Sequence, residues 1–203
     1  MSFANSFARV LVPVAVIAAP TAASAALSPD LAKVQAHLNA VNSMTASFVQ
    51  TDGKGRSMNG TLQLKRPGKI RFEYARGANM LLVANRGQLT FLDYDVGQKS
   101  NYALNKTPLG LLLADNPDVA RFAKLVKSED PRVVVVRATR QPYGTLVLAF
   151  VRSNSAPGGL QLFGWTAIDP QNKKTTVKLS NVRYNVGVPE TAFAYAEPKK
   201  RAR

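Results

Sequence analysis

His37 is the only histidine in a chain of 203 residues that contains no cysteine. A Ser-His-Asp triad, a histidine metal site or a histidine general base would each have to recruit it. It falls beside Leu31, Val34, Leu38 and Val41, which recur at helical spacing, and it reads as a surface or flanking side chain. With one imidazole and no thiol, zinc and thiolate chemistry lack a ligand set. Asp93 and Asp95 alternate onto one strand face, and Glu129-Asp130 precedes Pro131. Either pair could form an acid/base dyad, but both read as solvated turn or edge acids. No phosphate loop or dinucleotide fingerprint is present. What remains is Arg66, between Lys65 and Pro67-Gly68. Its five donors suit the uncapped carbonyls at a helix end, although a turn cation in water is the favoured reading of the residue alone. The pattern points to binding rather than catalysis, and to no cofactor.

The elements around Arg66 follow from alternation. In Leu62-Gln63-Leu64-Lys65-Arg66-Pro67-Gly68-Lys69-Ile70-Arg71-Phe72-Glu73-Tyr74, Leu62, Leu64, Ile70, Phe72 and Tyr74 share one side of the pleat, and Pro-Gly marks the turn. Further strands are predicted near 44–51, 57–66, 69–75, 80–85, 88–94 and 98–104, then near 132–140, 144–152, 159–169 and 173–184. Short turns such as Asp52-Gly53-Lys54-Gly55 and Arg86-Gly87 separate them, which makes neighbours antiparallel. Ser28-Pro29-Asp30 opens a helix with a cap residue, proline and an acid. Thr107-Pro108 opens a short helix through Leu113. Asn116-Pro117-Asp118 opens another, with Val119, Phe122, Leu125 and Val126 along one face. About ten strands with one apolar face must curl to bury it, and three helices carry matching stripes. Whether side chains fill that curl or leave a hollow stays open from the residues alone.

The first residues carry a positive Arg9, an apolar run from Val10 to Ala19 and the small residues Ala23-Ser24-Ala25. That order describes a cleaved export signal over 1–25, too short to span a bilayer. Residues 26–197 then read as one domain and Pro198 to Arg203 as a basic, disordered tail. No cysteine follows the cleavage point, so the product is expected to be exported and not itself a lipoprotein. The chain has 27 Lys and Arg against 12 Asp and Glu, a formal +15. Losing Arg9 leaves 26 against 12, or +14. Such an excess favours anionic partners. Export and the scatter of the cations argue against nucleic acid.

Lys65-Arg66-Pro67-Gly68 followed by Ile70-Arg71-Phe72-Glu73-Tyr74 resembles the "KRP" segment of LolA-type outer-membrane lipoprotein carriers. Leu38 to Gln50 is similar to that family's opening helix and first strand, and Thr107-Pro108-Leu109-Gly110-Leu111-Leu112-Leu113 to its "TP…LL" segment. Gly159 to Phe163, Thr175 to Leu179 and Val188 to Tyr195 resemble its closing elements. The resemblance runs over roughly residues 28 to 196.

This resemblance implies a mainly β protein with α: a strongly curved antiparallel sheet, an open half-barrel of about ten to eleven strands, covered by about three helices that form a lid over an apolar cavity. It implies a periplasmic carrier that binds the acyl chains of lipoproteins and shuttles them from the inner to the outer membrane. Three acyl chains hold roughly 45 methylenes, about 35 kcal/mol of burial at about 0.8 kcal/mol each, so unassisted desorption is negligible. Partners would be acylated lipoproteins, an inner-membrane ABC-type releasing complex, and an outer-membrane receptor or an anionic membrane surface, met by a monomer. Arg66 would be the lid latch beside Pro67. Leu64, Ile70, Phe72, Leu111, Leu112 and Leu113 would bind ligand; of the wider apolar set, with Leu62, Leu89, Phe91, Leu109, Leu146, Leu148 and Phe150, most would serve as core and some would line the cavity. The chain ends soon after Tyr195, where many members continue, which leaves the direction of transfer open. The alternative is a sensor or carrier of another lipid or hydrophobic ligand on the same fold.

Overall fold

Ser28 and Pro29 do start a helix. In a computed structural model that describes residues 27–199, helix α1 runs Pro29–Ala40 with Asp30 in its first turn. An ion pair from Arg152 to Asp30 at 2.8 Å ties that end to the sheet. The export signal of residues 1–25 and the last four residues of the basic tail lie outside the described residues. Among the described residues no helix is long and apolar enough to cross a membrane.

Eleven antiparallel strands form one sheet: β1 Ser43–Asp52, β2 Ser57–Lys65, β3 Lys69–Tyr74, β4 Met80–Asn85, β5 Gln88–Asp93, β6 Gln98–Ala103, β7 Ala123–Val126, β8 Val133–Arg140, β9 Gly144–Arg152, β10 Leu160–Ile168 and β11 Lys174–Tyr184. Their spatial order is β6-β5-β4-β3-β2-β1-β11-β10-β9-β8-β7. Each hairpin places consecutive strands side by side, and β1 pairs with β11 so that first and last strands meet in the centre. The sheet does not close, because β6 and β7 stand at opposite ends of it. The chain between them, with α2 Leu109–Leu112 and α3 Val119–Phe122, joins the two ends. This is the expected open half-barrel with three helices.

Alternation fixes the inner face. Leu62, Leu64, Ile70 and Phe72 are almost wholly buried there. In register, Leu62 faces Phe72 and Leu64 faces Ile70. Phe48 sits edge-on to Phe72 at 5.1 Å and to Tyr74 at 5.3 Å, and Phe72 edge-on to Trp165 at 6.0 Å. Such pairs add about 0.5–1.5 kcal/mol each beyond their burial.

Two elements differ from the sequence expectation. The third helix was expected to extend through Val126, but it stops at Phe122 and Ala123–Val126 becomes the edge strand β7. Val119, Phe122 and Val126 fit a helical stripe, yet Ala123 to Val126 gain ladder partners from Ala138 to Val135, and tertiary pairing outweighs a four-residue helical preference. The second difference is a layer on the far side of the sheet. Residues 186–195 cross β3–β5 on the outside, where Val188 and Phe193 bury Leu81, Val83 and Leu92 in a separate cluster. Strand β4 is therefore buried on both faces.

Candidate functional site

The turn at Arg66-Pro67-Gly68 is where the sheet grips both helical elements. The Arg66 amide donates to the Asn42 carbonyl at 2.8 Å, just past α1, and the Gly68 amide donates to the Leu113 carbonyl at 2.9 Å, just past α2. Gly68 takes a positive φ of 70°, which suits a residue without a β-carbon. The side chain of Arg66 reaches into the last turn of α1, where Nη1 donates to the Leu38 carbonyl. A guanidinium at a helix C-terminus also meets the negative end of the helix dipole. Its Nε is buried without a hydrogen-bond partner. Burial pulls the guanidinium down from its ordinary value to about 10, with Asp115 opposing. It stays charged at neutral pH, in a place that charges its desolvation against a single strong bond.

Outside the turn, Lys65 and Lys69 both pair with Glu190, at 2.8 Å from Lys65 and 2.5 Å from Lys69. The two amines hold the Glu190 carboxyl well below the usual carboxylate range, at about 2. The outer segment is thereby fastened to the same hairpin that grips the helices.

Beside that grip lies an apolar cleft of about 280 Å³. Its walls include Val34 and Leu38 of α1, Leu111 of α2, Phe122 of α3, Val136 of β8 and Leu148 of β9. Arg121, Arg140, Asn116 and Asp118 bring polar groups to its mouth. Sites that enclose a drug-sized ligand are about 300–1,000 Å³, so the cleft as it stands holds one short chain at most. A second groove of about 550 Å³ passes Pro67, Gly68, Leu104 and Leu113. Gly110, Ala114 and Arg140 line both hollows, and Arg140 is the one charged residue of the three.

The expected site residues divide accordingly. Leu111 lines the cleft, while Pro67 and Leu113 line the groove. Leu64, Ile70, Phe72 and Leu112 pack in the core beneath the helices. Val136 is a wall residue the sequence did not single out; Phe122 was expected on the apolar face of the third helix and Leu148 in the apolar set of the strands, but their patterns mark them as apolar and not as facing a hollow.

His37 departs from its expected place. It is 2% exposed rather than on the surface. Its Nδ1 lies 2.8 Å from the Pro157 carbonyl, and its ring is edge-on to Phe150 and Tyr184 at 5.2 Å each. Burial holds its pKa below the usual value, so the ring is neutral and Nδ1–H donates. Among the described residues no acid stands beside it to form a relay. Asp93 and Asp95 are turn acids: Asp93 accepts from the Asp95 amide at 3.0 Å, and Asp95 accepts from Asn79 at 2.7 Å. Asp130 chelates Arg132 across two residues. Among the described residues no cluster of three or more His, Cys, Asp or Glu could hold a metal ion.

A sequence profile of the family described as "Outer membrane lipoprotein carrier protein LolA" matches residues 39–196, well over half of the chain. The chain belongs to the LolA family. Its LolA relatives include an outer-membrane lipoprotein carrier protein of Chromobacterium violaceum, 29% identical over 193 residues, 90% of this chain and 88% of that one. Another from Pseudomonas fluorescens is 26% identical and covers 94% of this chain and 95% of its own. A solved LolA superfamily protein from Nitrosomonas europaea aligns with a TM-score of 0.44 at 11% identity, over 82% of this chain and 96% of that one. LolA proteins are periplasmic carriers rather than enzymes.

Proposed function

We propose that the apolar cleft is the closed form of an acyl-chain site, and that the protein carries lipoproteins through the periplasm from the inner to the outer membrane. The observation that carries this reading is the one-sided grip on the lid. Arg66 reaches Leu38 in α1, and Gly68 reaches Leu113 after α2. The same two helices wall the cleft. Releasing a charge-assisted hydrogen bond costs about 1.5–3 kcal/mol, whereas each methylene that enters an apolar lining contributes about 0.8 kcal/mol. A few methylenes therefore offset the latch, and the lid opens only when cargo fills the space behind it. The unpartnered Nε keeps the closed form from being held too firmly.

In this reading Arg66 is the latch, Leu111 meets the acyl chains first, and Leu64, Ile70, Phe72, Leu112 and Leu113 become lining as the lid swings away. Residues 26–197 work as one domain after cleavage near Ala25. The monomer receives cargo from an ABC-type releasing complex in the inner membrane and gives it to a receptor or to an anionic membrane surface. Hydrolysis belongs to the loading complex, so the carrier needs no catalytic group.

The test is mass spectrometry of what co-purifies with the protein from the periplasm, with Arg66→Leu in parallel. Acylated proteins are expected on the parent, and more of them, released more slowly, on the variant. A parent free of acylated species, or a variant that loads and unloads like the parent, contradicts the reading.

A further inference from the structure

The free edge of the sheet next to the cleft gathers cations that no acid neutralises. Arg121, Lys124 and Arg137 are exposed and line one shallow depression together with Phe122 and Thr139. Lys124 and Arg137 face each other in the β7–β8 register. None of the three takes part in an ion pair among the described residues, and no acid shares the depression they line. Arg121 and Phe122 also line the cleft, as does Arg140.

The same edge exposes apolar and aromatic groups. The Arg121 guanidinium lies 5.1 Å from the centre of the Phe122 ring, and Leu125 on the edge strand is 41% exposed. Cations with long apolar stems beside a phenyl ring and a leucine are suited to the boundary between headgroups and acyl chains. An acidic protein would meet the charges but leave Phe122 and Leu125 unmatched. A bilayer surface with anionic headgroups meets both.

We propose that the α3–β7 edge, through Arg121, Lys124 and Arg137 with Phe122 and Leu125, is a docking rim for an anionic lipid surface, and that it sets the mouth of the apolar cleft against the bilayer. It rests on the carrier reading only for its purpose, since docking itself needs no cargo. Each Lys or Arg near an anionic surface contributes enough that removing three weakens binding roughly a hundredfold.

The test is co-sedimentation of the purified protein with vesicles of phosphatidylcholine alone or with one part in three of phosphatidylglycerol. Arg121→Gln/Lys124→Gln/Arg137→Gln is compared with Lys173→Gln/Lys174→Gln/Lys178→Gln, which removes the same charge at the β10–β11 turn and on β11. The parent should bind the anionic vesicles, lose them in high salt, and ignore the neutral ones. The rim variant should bind about a hundredfold more weakly, and the control variant should stay close to the parent. Equal losses in both variants would show a net-charge effect and overturn the assignment. So would parent-like binding by a folded rim variant, or equal binding of the parent to neutral vesicles. Uptake of a fluorescent fatty acid, measured on the same samples without vesicles, separates the two readings: if the parent takes up none, the carrier function fails while the docking result stands on its own.

Discussion

The amide of Gly68 donates to the carbonyl of Leu113 at 2.9 Å, and this bond puts the β2–β3 turn and the end of α2 into one unit. Two residues earlier, the Arg66 side chain does the same for α1 at Leu38. One hairpin turn thus holds both helical walls of the cleft. Replacing Arg66 by leucine removes a buried cation with an unpartnered Nε, so its desolvation cost goes with its bond. Arg66→Leu is expected to leave the melting temperature within about 2–4 °C of the parent, a change of about 1 kcal/mol at most, while slowing cargo release. A melting scan alongside a release assay checks both. A collapse of stability would mark Arg66 as a structural residue only.

Gly158 lies directly under α1. It takes a φ of 66°, and a β-carbon there would stand 2.5 Å from the His37 amide nitrogen and 2.8 Å from its Cα. Both the left-handed backbone and the close approach require glycine. Gly158→Ala is expected to destabilise the fold by about 1–3 kcal/mol and to displace α1 from the cleft wall. Denaturant unfolding reads the first effect. Faster amide exchange over residues 34–40 reads the second.

His37 makes stability depend on pH. Burial lowers its pKa in the folded chain below the ordinary 6.5, while the unfolded chain keeps the ordinary value. The unfolded state therefore binds more protons as pH falls below about 6.5, and folded stability drops with it until the folded group also titrates. Above that value the neutral ring contributes fully. The urea midpoint should be flat from pH 8 to 7 and fall towards pH 5. His37→Gln, which keeps a donor for the Pro157 carbonyl, should remove that fall. An unchanged slope in the variant would assign it to other groups.

Glu190 ties the outer segment to the hairpin through Lys65 and Lys69. Its carboxyl is depressed to about 2, so its contribution is present above the ordinary carboxylate range and is lost as pH falls towards 2. At neutral pH, Glu190→Gln is expected to speed amide exchange in residues 186–195 with little change at Phe48 or Leu62. Protection equal to the parent would mean that Val188 and Phe193, with the Arg71 bonds to the Ala192 and Ala194 carbonyls, hold the segment without Glu190.

Alternating strands made most of this fold legible. Leu62 to Tyr74 and Val133 to Arg152 carry period-two patterns that the ladder follows in register. Val119, Phe122 and Val126 do not distinguish a helix from a helix followed by a strand, because the deciding partners, Val135 to Ala138, lie elsewhere in the chain. The outer layer left a trace in β4, whose run Met80-Leu81-Leu82-Val83-Ala84 does not alternate, as befits a strand buried on both faces. The burial of His37 left none, since Pro157 and Phe150 reach it only through the tertiary fold. At the site, the Pro-Gly turn and a cation that suits a helix end were readable, but the division of apolar residues into core and cleft wall depends on where α2 and α3 come to rest.

The central claim is that the cleft under α1 and α2 opens to accept acyl chains. The chain has no cysteine, so Leu111→Cys, on the cleft wall, allows one environment-sensitive fluorophore to be placed there without ambiguity. Titration with a triacylated lipopeptide should give a saturable blue shift at one lipopeptide per chain, and the same peptide without acyl chains should give none. A folded, labelled protein whose emission does not change on addition of the lipopeptide, or changes equally with the unacylated peptide, would contradict the account.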